Sequence, residues 1–326
     1  IANLGTLAHE FFHSWNVERI RPRSLEPFDF ERANMSEELW FAEGFTSYYD
    51  DLTLRRAGIT DLERYSRDLT ASLGPILNAP GRRLHSPVDM SRQAPFVDAA
   101  VSIDPTNREN TYASYYPYGA VLALGLDLSI RDRYPGKSLD DFMRDLWNRY
   151  GEPEVPYTLA DLESALARLT DASFSTEFFE RFIERGDLPD FERLLGLAGL
   201  SLQRARPGKV WLGAELDDSK GKLRVESRPL RGSPLYEAGA DLGDRLLEIG
   251  GETSLEKVLS RFLPGDRVEL TFDKRGERRK ATMVLQEDPS IEVVPFEKAG
   301  KRPTPAVDTF RESWLSSQAV WKAGSR

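Results

Sequence analysis

His9-Glu10-Phe11-Phe12-His13, with Trp40-Phe41-Ala42-Glu43-Gly44-Phe45-Thr46-Ser47-Tyr48-Tyr49 downstream, decides how this sequence is read. The first string is H-E-x-x-H inside a segment, Asn3 to Asn16, whose apolar residues recur at helical spacing. Side chains four apart share a helix face, so both imidazoles can reach one metal ion. Glu10 is rotated one step, beside the position such an ion keeps open, where a carboxylate can take a proton from water. Of the 3 histidines in the chain, two sit in this motif; chance placement of so rare a residue is a poor account of it. A zinc site of this kind needs a third protein ligand, and Glu43 offers one. It is an acid inside an otherwise apolar and aromatic helical segment, where an unpaired carboxylate is costly and a metal removes the cost. Asp50 follows seven residues later on nearly the same face. Two readings stay open for it: a carboxylate that orients a ligand histidine from behind, or a surface acid.

Outward from these strings, the first two hundred residues read as helix after helix. A helix is expected from about Ser36 to Ala57, stopping at Gly58, and another from Thr60, with Glu63 completing a capping box. Ala120 to Arg131 is apolar on several sides and reads as a buried helix. Ser138 and Thr158 look like N-caps, with Asp141 and Asp161 three residues on. Phe174–Arg185 and Phe191–Leu200 complete the helical part. Long loops are expected at Arg21–Asn34 and Asn78–Asn110, a length often tied to function. Near Pro207 the character changes to short β-type runs: Val210-Trp211-Leu212, then Leu223 to Ser227, Arg245 to Ile249, Arg267 to Phe272 and Ala281 to Leu285. Turn residues such as Gly250-Gly251 and Pro264-Gly265 separate them, and one amphipathic helix, Leu255 to Phe262, sits among them. A connector, Pro295–Pro305, leads to a final helix, Val307 to Trp321.

Composition narrows the function classes. At 326 residues, with 40% hydrophobic and 30% charged residues, the chain suits about two soluble domains. Lys and Arg number 44 against 53 Asp and Glu, and the net charge of -9 argues against nucleic-acid binding. No apolar run approaches the roughly 20 residues of a membrane span. The absence of cysteine removes disulfides, thiolate metal sites and cysteine nucleophiles, and leaves the compartment open. Because Ile1 runs straight into the helical motif, without a charged leader or cleavage site, the chain reads as a fragment of a longer protein. Pro135-Gly136-Lys137-Ser138 has the tail of a phosphate-binding loop, but Arg131 stands where its first glycine is required. His85, in Arg82-Arg83-Leu84-His85-Ser86-Pro87, reads as a loop or surface histidine.

The segment His9 to Pro22, with Leu39 to Tyr49, closely resembles the M61 glycyl aminopeptidases, thermolysin-like gluzincins related to the larger M1 aminopeptidases. The 29 residues between His13 and Glu43 match the longer insertion of that type. Pro80-Gly81-Arg82-Arg83-Leu84, Ser114 to Gly119, Leu124 to Arg131 and Thr304 to Leu315 extend the resemblance over nearly the whole chain. It implies that Glu43 is the third zinc ligand. It implies also that Tyr116, three residues before Gly119, stabilises the oxyanion of a tetrahedral intermediate, a donor role suited to charge that appears only in the transition state. Two positions depart from the family, which usually has Lys where this chain has Glu18 and Tyr118. A second resemblance lies in Trp211-Leu212-Gly213-Ala214 and in Ser233 to Gly251, which look like a bacterial PDZ domain. In such domains the loop corresponding to Leu212, Gly213 and Ala214 offers N–H groups to a peptide carboxylate. Whether this groove binds a peptide or only packs stays open.

The expected fold is therefore multidomain: a mainly α, thermolysin-like gluzincin catalytic domain over residues 1–205, a β-rich PDZ-like domain over 206–288, and a connector with a C-terminal helix over 289–326. The expected function is a zinc-dependent aminopeptidase with one Zn2+ per chain, cleaving peptides that have a free N-terminus and preferring N-terminal Gly or Ala by resemblance. His9, His13 and Glu43 hold the metal and Glu10 and Tyr116 are catalytic. The alternatives are a peptide-binding PDZ protein with a structural or idle zinc centre, taking C-terminal peptides, and a zinc endopeptidase. In relatives an acidic residue upstream of H-E-x-x-H holds the substrate amine, a segment that would precede Ile1. That leaves room for a chain that binds zinc and hydrolyses poorly. No nucleic acid and no membrane span are expected, and the resemblance suggests a periplasmic or secreted protein.

Overall fold

Why the H-E-x-x-H helix ends where it does is a matter of one buried side chain. In the computed structural model, which describes residues 3–97, 107–219 and 223–318, helix α1 spans Leu4–Phe12 and His13 caps its C-terminus with helical dihedrals. The expected continuation to Asn16 is replaced by turns. Asn16 is fully buried and turns inward, its amide donating to the carbonyls of Phe41 (3.2 Å) and Ala42 (3.1 Å). Those carbonyls belong to the end of α2 (Leu39–Ala42), and the single helix expected over Ser36–Ala57 is interrupted at Glu43 before α3 (Gly44–Arg56). Asn16 thus supplies the partner that buried carbonyls at a helix end require.

α4 (Leu62–Asn78) is capped by Asp61, whose carboxylate accepts from the Arg64 N–H, rather than by the expected Thr60–Glu63 box. Asp61 holds extended dihedrals beside the first helical residue, which puts its short side chain over the orphan N–H groups. The expected loop Arg21–Asn34 contains one 3-10 turn, Arg23–Leu25. The expected loop Asn78–Asn110 contains α5 (Pro87–Arg92), α6 (Ala94–Val97) and α7 (Arg108–Thr111); residues 98–106 of it lie outside the described residues. α8 (Tyr115–Arg133) is longer than the buried stretch read from sequence and takes in both Tyr115 and Tyr116. α9 (Leu139–Leu146) and α10 (Leu159–Leu169) begin with the expected capping boxes at Ser138/Asp141 and Thr158/Asp161. α11 (Ala172–Phe178) runs on as a π-helical stretch, Phe179–Glu184. α12 (Phe191–Leu197) stops short of the expected Leu200 because Gly199 takes a positive φ of 73° that turns the chain into a strand.

That strand, β1 (Leu200–Arg204), was not expected from the sequence, nor was its antiparallel partner Ile291–Pro295. Between them lies the β-rich region. β2 (Val210–Trp211) pairs with Gln286–Glu287. Five antiparallel strands follow in the order β3 (Leu216–Asp217), β4 (Leu223–Val225), β5 (Arg245–Ile249), β6 (Arg267–Lys274), β7 (Glu277–Val284). The chain is therefore mixed helix and sheet, with a C-terminal β region. α13 (Pro234–Glu237) and α14 (Leu255–Arg261) flank the sheet. Naming the remaining strands in order gives β8 (Gln286–Glu287) and β9 (Ile291–Pro295), and α15 (Pro305–Leu315) is the last helix. It starts two residues before the expected Val307 and ends at Leu315, where Ser316 turns extended, short of the expected Trp321, which itself lies outside the described residues.

Two hydrophobic cores form. The smaller is built from Val210 to Leu285 within the β region. The larger runs from Ile20 through Leu200 and takes in Val293, Trp314 and Leu315. α8 is its axis, every residue from Tyr118 to Leu128 being buried. Asp127, fully buried on this axis, accepts from the Tyr48 hydroxyl (2.6 Å), the Arg131 Nε (2.9 Å) and the Leu139 N–H (2.9 Å). Trp314 of α15 donates in turn to Tyr48 (2.8 Å), which ties the C-terminal helix to α3 and α8. Such a carboxylate is tolerated inside a core because its oxygens are satisfied.

α3 and α8 touch backbone to backbone. A Cβ on Gly119 would lie 1.8 Å from the Trp40 carbonyl oxygen, and one on Gly44 would lie 2.2 Å from the Gly119 Cα. Gly119→Ala is therefore expected to destabilise the fold by about 3 kcal/mol. Gly74→Ala, on a helical site with nothing within 4 Å of a new Cβ, is expected to stabilise by up to about 1 kcal/mol. Urea unfolding of the two variants checks this, and equal stabilities would show that the helices are not held at backbone contact.

Candidate metal centre

The split at Glu43 points this carboxylate back at α1. Its Oε2 lies 3.4 Å from His9 Nε2 and 3.3 Å from His13 Nε2, and the two Nε2 atoms are 3.1 Å apart. Ligand atoms held tetrahedrally at about 2.0–2.1 Å from one ion stand about 3.3 to 3.4 Å apart, so this triangle already has the size of a metal site. Among the described residues, this is the one group of three or more His, Asp or Glu side chains with ligand atoms so gathered.

The outer nitrogens of both rings are fixed. His13 Nδ1 sits 2.6 Å from the Asn16 carbonyl, which can only accept, so Nδ1 carries the proton and Nε2 keeps a lone pair. His9 Nδ1 faces Asp50 Oδ2 at 3.2 Å, with the same consequence. Two lone pairs and a carboxylate oxygen then converge on one point, an arrangement that calls for a cation. Without one, protons serve. Hydrogen bonding to Asp50, then to Glu43, outweighs burial and raises the His9 imidazole to about 9. His13 is raised mainly by Glu43. Burial works to raise the Glu43 carboxyl, but the two histidines prevail and hold it near 2. Asp50 is raised by its burial, against the pull of His9.

Glu43, the residue just before α3, and Asp50 within it are seven residues apart, almost two turns, so the start of this helix delivers both acids. The helix is held in place by the stack of Tyr49 on Phe12 (4.6 Å between centroids, 12° between planes), with the Tyr49 hydroxyl on Asp140 at 3.0 Å. α8 brings Tyr116, whose ring lies 6.2 Å from that of His9, while Tyr115 is buried in the core. Glu10 is exposed, and its side chain makes no hydrogen bond or ion pair among the described residues. His85 is exposed in a turn. Tyr118 is buried, its hydroxyl donating to the Gly186 carbonyl at 3.2 Å, and Glu18 is exposed beside Arg21. The site thus joins His9, His13, Glu43, Asp50 and Tyr116. Sequence reasoning missed Asn16, since its role lies in a main-chain carbonyl whose position depends on where α1 ends.

Leu212, Gly213 and Ala214 lie elsewhere, lining an open groove of about 810 Å³ between β3 and α14. Gly213 has φ 98°, and a Cβ there would strike the Ser233 side chain. The carbonyls of Leu212 and Gly213 accept from Leu235 and Leu230, which turns this loop's N–H groups the other way.

The family model of the M61 glycyl aminopeptidases matches residues 2–122, the part of the chain that contains the whole metal centre. A crystal structure of an aminopeptidase N family protein from Idiomarina loihiensis is 26% identical, with a TM-score of 0.78 over 97% of this chain and 55% of that one. The chain thus spans about half the length of that relative. Partial likenesses extend to an HtrA-type protease with a decapeptide (18% identity, 26% of this chain and 30% of that one, TM-score 0.23). A serine endoprotease from Yersinia pestis is alike to a similarly small extent (16% identity, 30% of this chain and 34% of that one, TM-score 0.22). No curated protein matches. The segment that carries the metal-ligand triangle, residues 2–122, thus matches the M61 glycyl aminopeptidase family, and the chain is similar over nearly its whole length to about half of the Idiomarina structure.

Proposed function

We propose that this chain is a zinc-dependent aminopeptidase, with a preference for N-terminal Gly or Ala carried over from the family. In this reading residues 1–205 form a thermolysin-like gluzincin catalytic domain, 206–288 a PDZ-like domain, and 289–326 a connector and C-terminal helix. The observation that carries it is the triangle of His9 Nε2, His13 Nε2 and Glu43 Oε2 at tetrahedral spacing. One zinc ion held there supplies Lewis acidity to water and to the peptide carbonyl. Glu10 takes the proton from the attacking water and passes it to the leaving amine. Tyr116 donates its hydroxyl to the carbonyl oxygen as negative charge develops. Asp50 and the Asn16 carbonyl keep both imidazoles in the tautomer that presents Nε2. The Leu212–Ala214 loop and the groove beside it are assigned to a peptide with a free C-terminal carboxylate, whose strand would add to the edge strand β3.

Purified without chelators, the protein should carry about one zinc per chain, and Glu43→Ala should lose it. A metal-free protein that stays so after zinc is added back would sink the assignment. Glu10→Ala should keep the zinc and lower turnover of glycine p-nitroanilide by about 10²-fold or more; near-wild-type turnover would remove Glu10 from the mechanism. Stepwise trimming of a long peptide, read by mass spectrometry, separates this activity from an endopeptidase, which releases internal fragments.

Asp50→Asn should weaken zinc affinity by about 10- to 100-fold, measured by competition with a chromophoric chelator. Zinc loading should also release protons, because His9 holds its proton up to about 9 in the free site and must lose it to bind. Affinity should therefore climb with pH and level off above about 9. In the metal-free protein the sign is opposite for stability. The His9 contribution is fully present below its unfolded value of 6.5 and disappears as pH rises through about 9. Calorimetry of zinc binding in two buffers of different ionisation enthalpy checks the release; identical heats in both would count against it.

A further inference from the structure

We propose that the groove of the β region and the metal centre are coupled through the segment Arg108–Tyr116, with Asn110 as the positioning residue that joins them. The inference rests on the proposed peptide groove and zinc site, and adds regulation of one by the other. Asn110 is buried at 4% exposure and spends both ends of its amide on a loop more than a hundred residues away. Its Oδ1 accepts from the Arg231 N–H at 2.7 Å, and its Nδ2 donates to the Pro229 carbonyl at 3.0 Å. Between those two residues stands Leu230, which lines the groove and donates its N–H to the Gly213 carbonyl at 2.9 Å. Glu109, next to Asn110, lines the groove directly. A ligand seated on the 212–214 loop therefore presses on a backbone that Asn110 holds from behind.

On its other side Asn110 leads without slack to the metal centre. The Thr111–Tyr112 backbone lies 2.6 to 2.8 Å from where a Gly81 Cβ would stand, so this stretch is wedged against the helical body. Tyr112, Ala113 and Tyr115 are buried. Tyr116 then opens the first turn of α8 with its ring beside His9. A displacement of residues 229–231 is handed to the start of α8, because a short, packed segment has no room to absorb it. For the groove's occupant to act on the metal site it must bind the two arrangements of this segment unequally, and the effect is then reciprocal.

The test measures both affinities on the zinc-loaded protein. The groove probe is a short N-acetylated peptide ending in a free valine carboxylate, chosen because Leu216, Leu255 and Leu259 line the groove; its binding is read by fluorescence anisotropy. The metal-site probe is glycine hydroxamate. Each affinity should change by about 5- to 150-fold when the other site is filled, by the same factor in both directions. Asn110→Ala should bring that factor to about 1, while Asn110→Asp, which keeps the acceptor for Arg231 and the size of the side chain, should restore part of it. A variant that only weakens the groove binds peptide less tightly in both zinc-site states and keeps the ratio. Binding at both sites with a ratio of one in the parent protein overturns the coupling alone. Absence of peptide binding overturns the groove and the coupling together, and absence of zinc overturns the metal centre and the coupling together. An undiminished ratio in both Asn110 variants overturns the role of Asn110.

Discussion

The close approach of α3 and α8 at Gly44 and Gly119 is the constraint on which the His9–His13–Glu43 triangle depends. Glu43 immediately precedes one glycine and Tyr116 stands three residues before the other, so the backbone contact sets how far the carboxylate and the phenol sit from each other and from α1. A side chain at either position would push the helices apart by more than the whole tolerance of a ligand triangle. The same approach leaves the Trp40 carbonyl facing Gly119 and coincides with the interruption of the helix at Glu43. Asn16 and Thr46 then satisfy the Ala42 carbonyl that this interruption exposes.

Around that contact, alternate sides of one helix serve different ends. Glu43 and Asp50 face the histidines, while Tyr48 and Tyr49 between them reach into the core toward Asp127 and Asp140. Burial raises both of these hydroxyls well above the usual tyrosine range, so they remain donors. The acids of the site are thereby carried on a helix whose opposite face is locked by hydrogen bonds, and Trp314 extends that lock to the C-terminal helix. Preorganisation of this kind is what lets three ligand atoms stand at metal spacing.

The β region is set into the helical body rather than appended to its end. β1 and β9 leave and re-enter as an antiparallel pair, and Leu200 and Val293 of that pair belong to the larger core. Chain continuity on both sides, together with the Asn110 amide, holds the groove in a fixed relation to the start of α8. A short wedge of main chain therefore separates the two surfaces with chemical potential in this molecule.

Much of this was legible in the amino-acid sequence, and the part that was not has a common cause. Spacing alone placed His9 and His13 on one face and made Glu10 their neighbour, because helical periodicity is local. Capping boxes at Ser138 and Thr158 were readable for the same reason, whereas the start at Asp61 and the stop at Gly199 turned on single dihedrals that the pattern does not fix. β1 and β9 escaped notice because each is a strand only by pairing with a partner some ninety residues away. Asp50 left two readings open in the sequence; its approach to His9 depends on how α3 lies across α1. Asn16 acts through a carbonyl whose direction is set by where a helix ends. The sequence by itself determined the ligand types, their order and the helical character of the segments bearing them. Only the tertiary structure decided the distances between them, because those follow from the backbone contact at Gly44 and Gly119 and from buried partners that lie far apart along the chain.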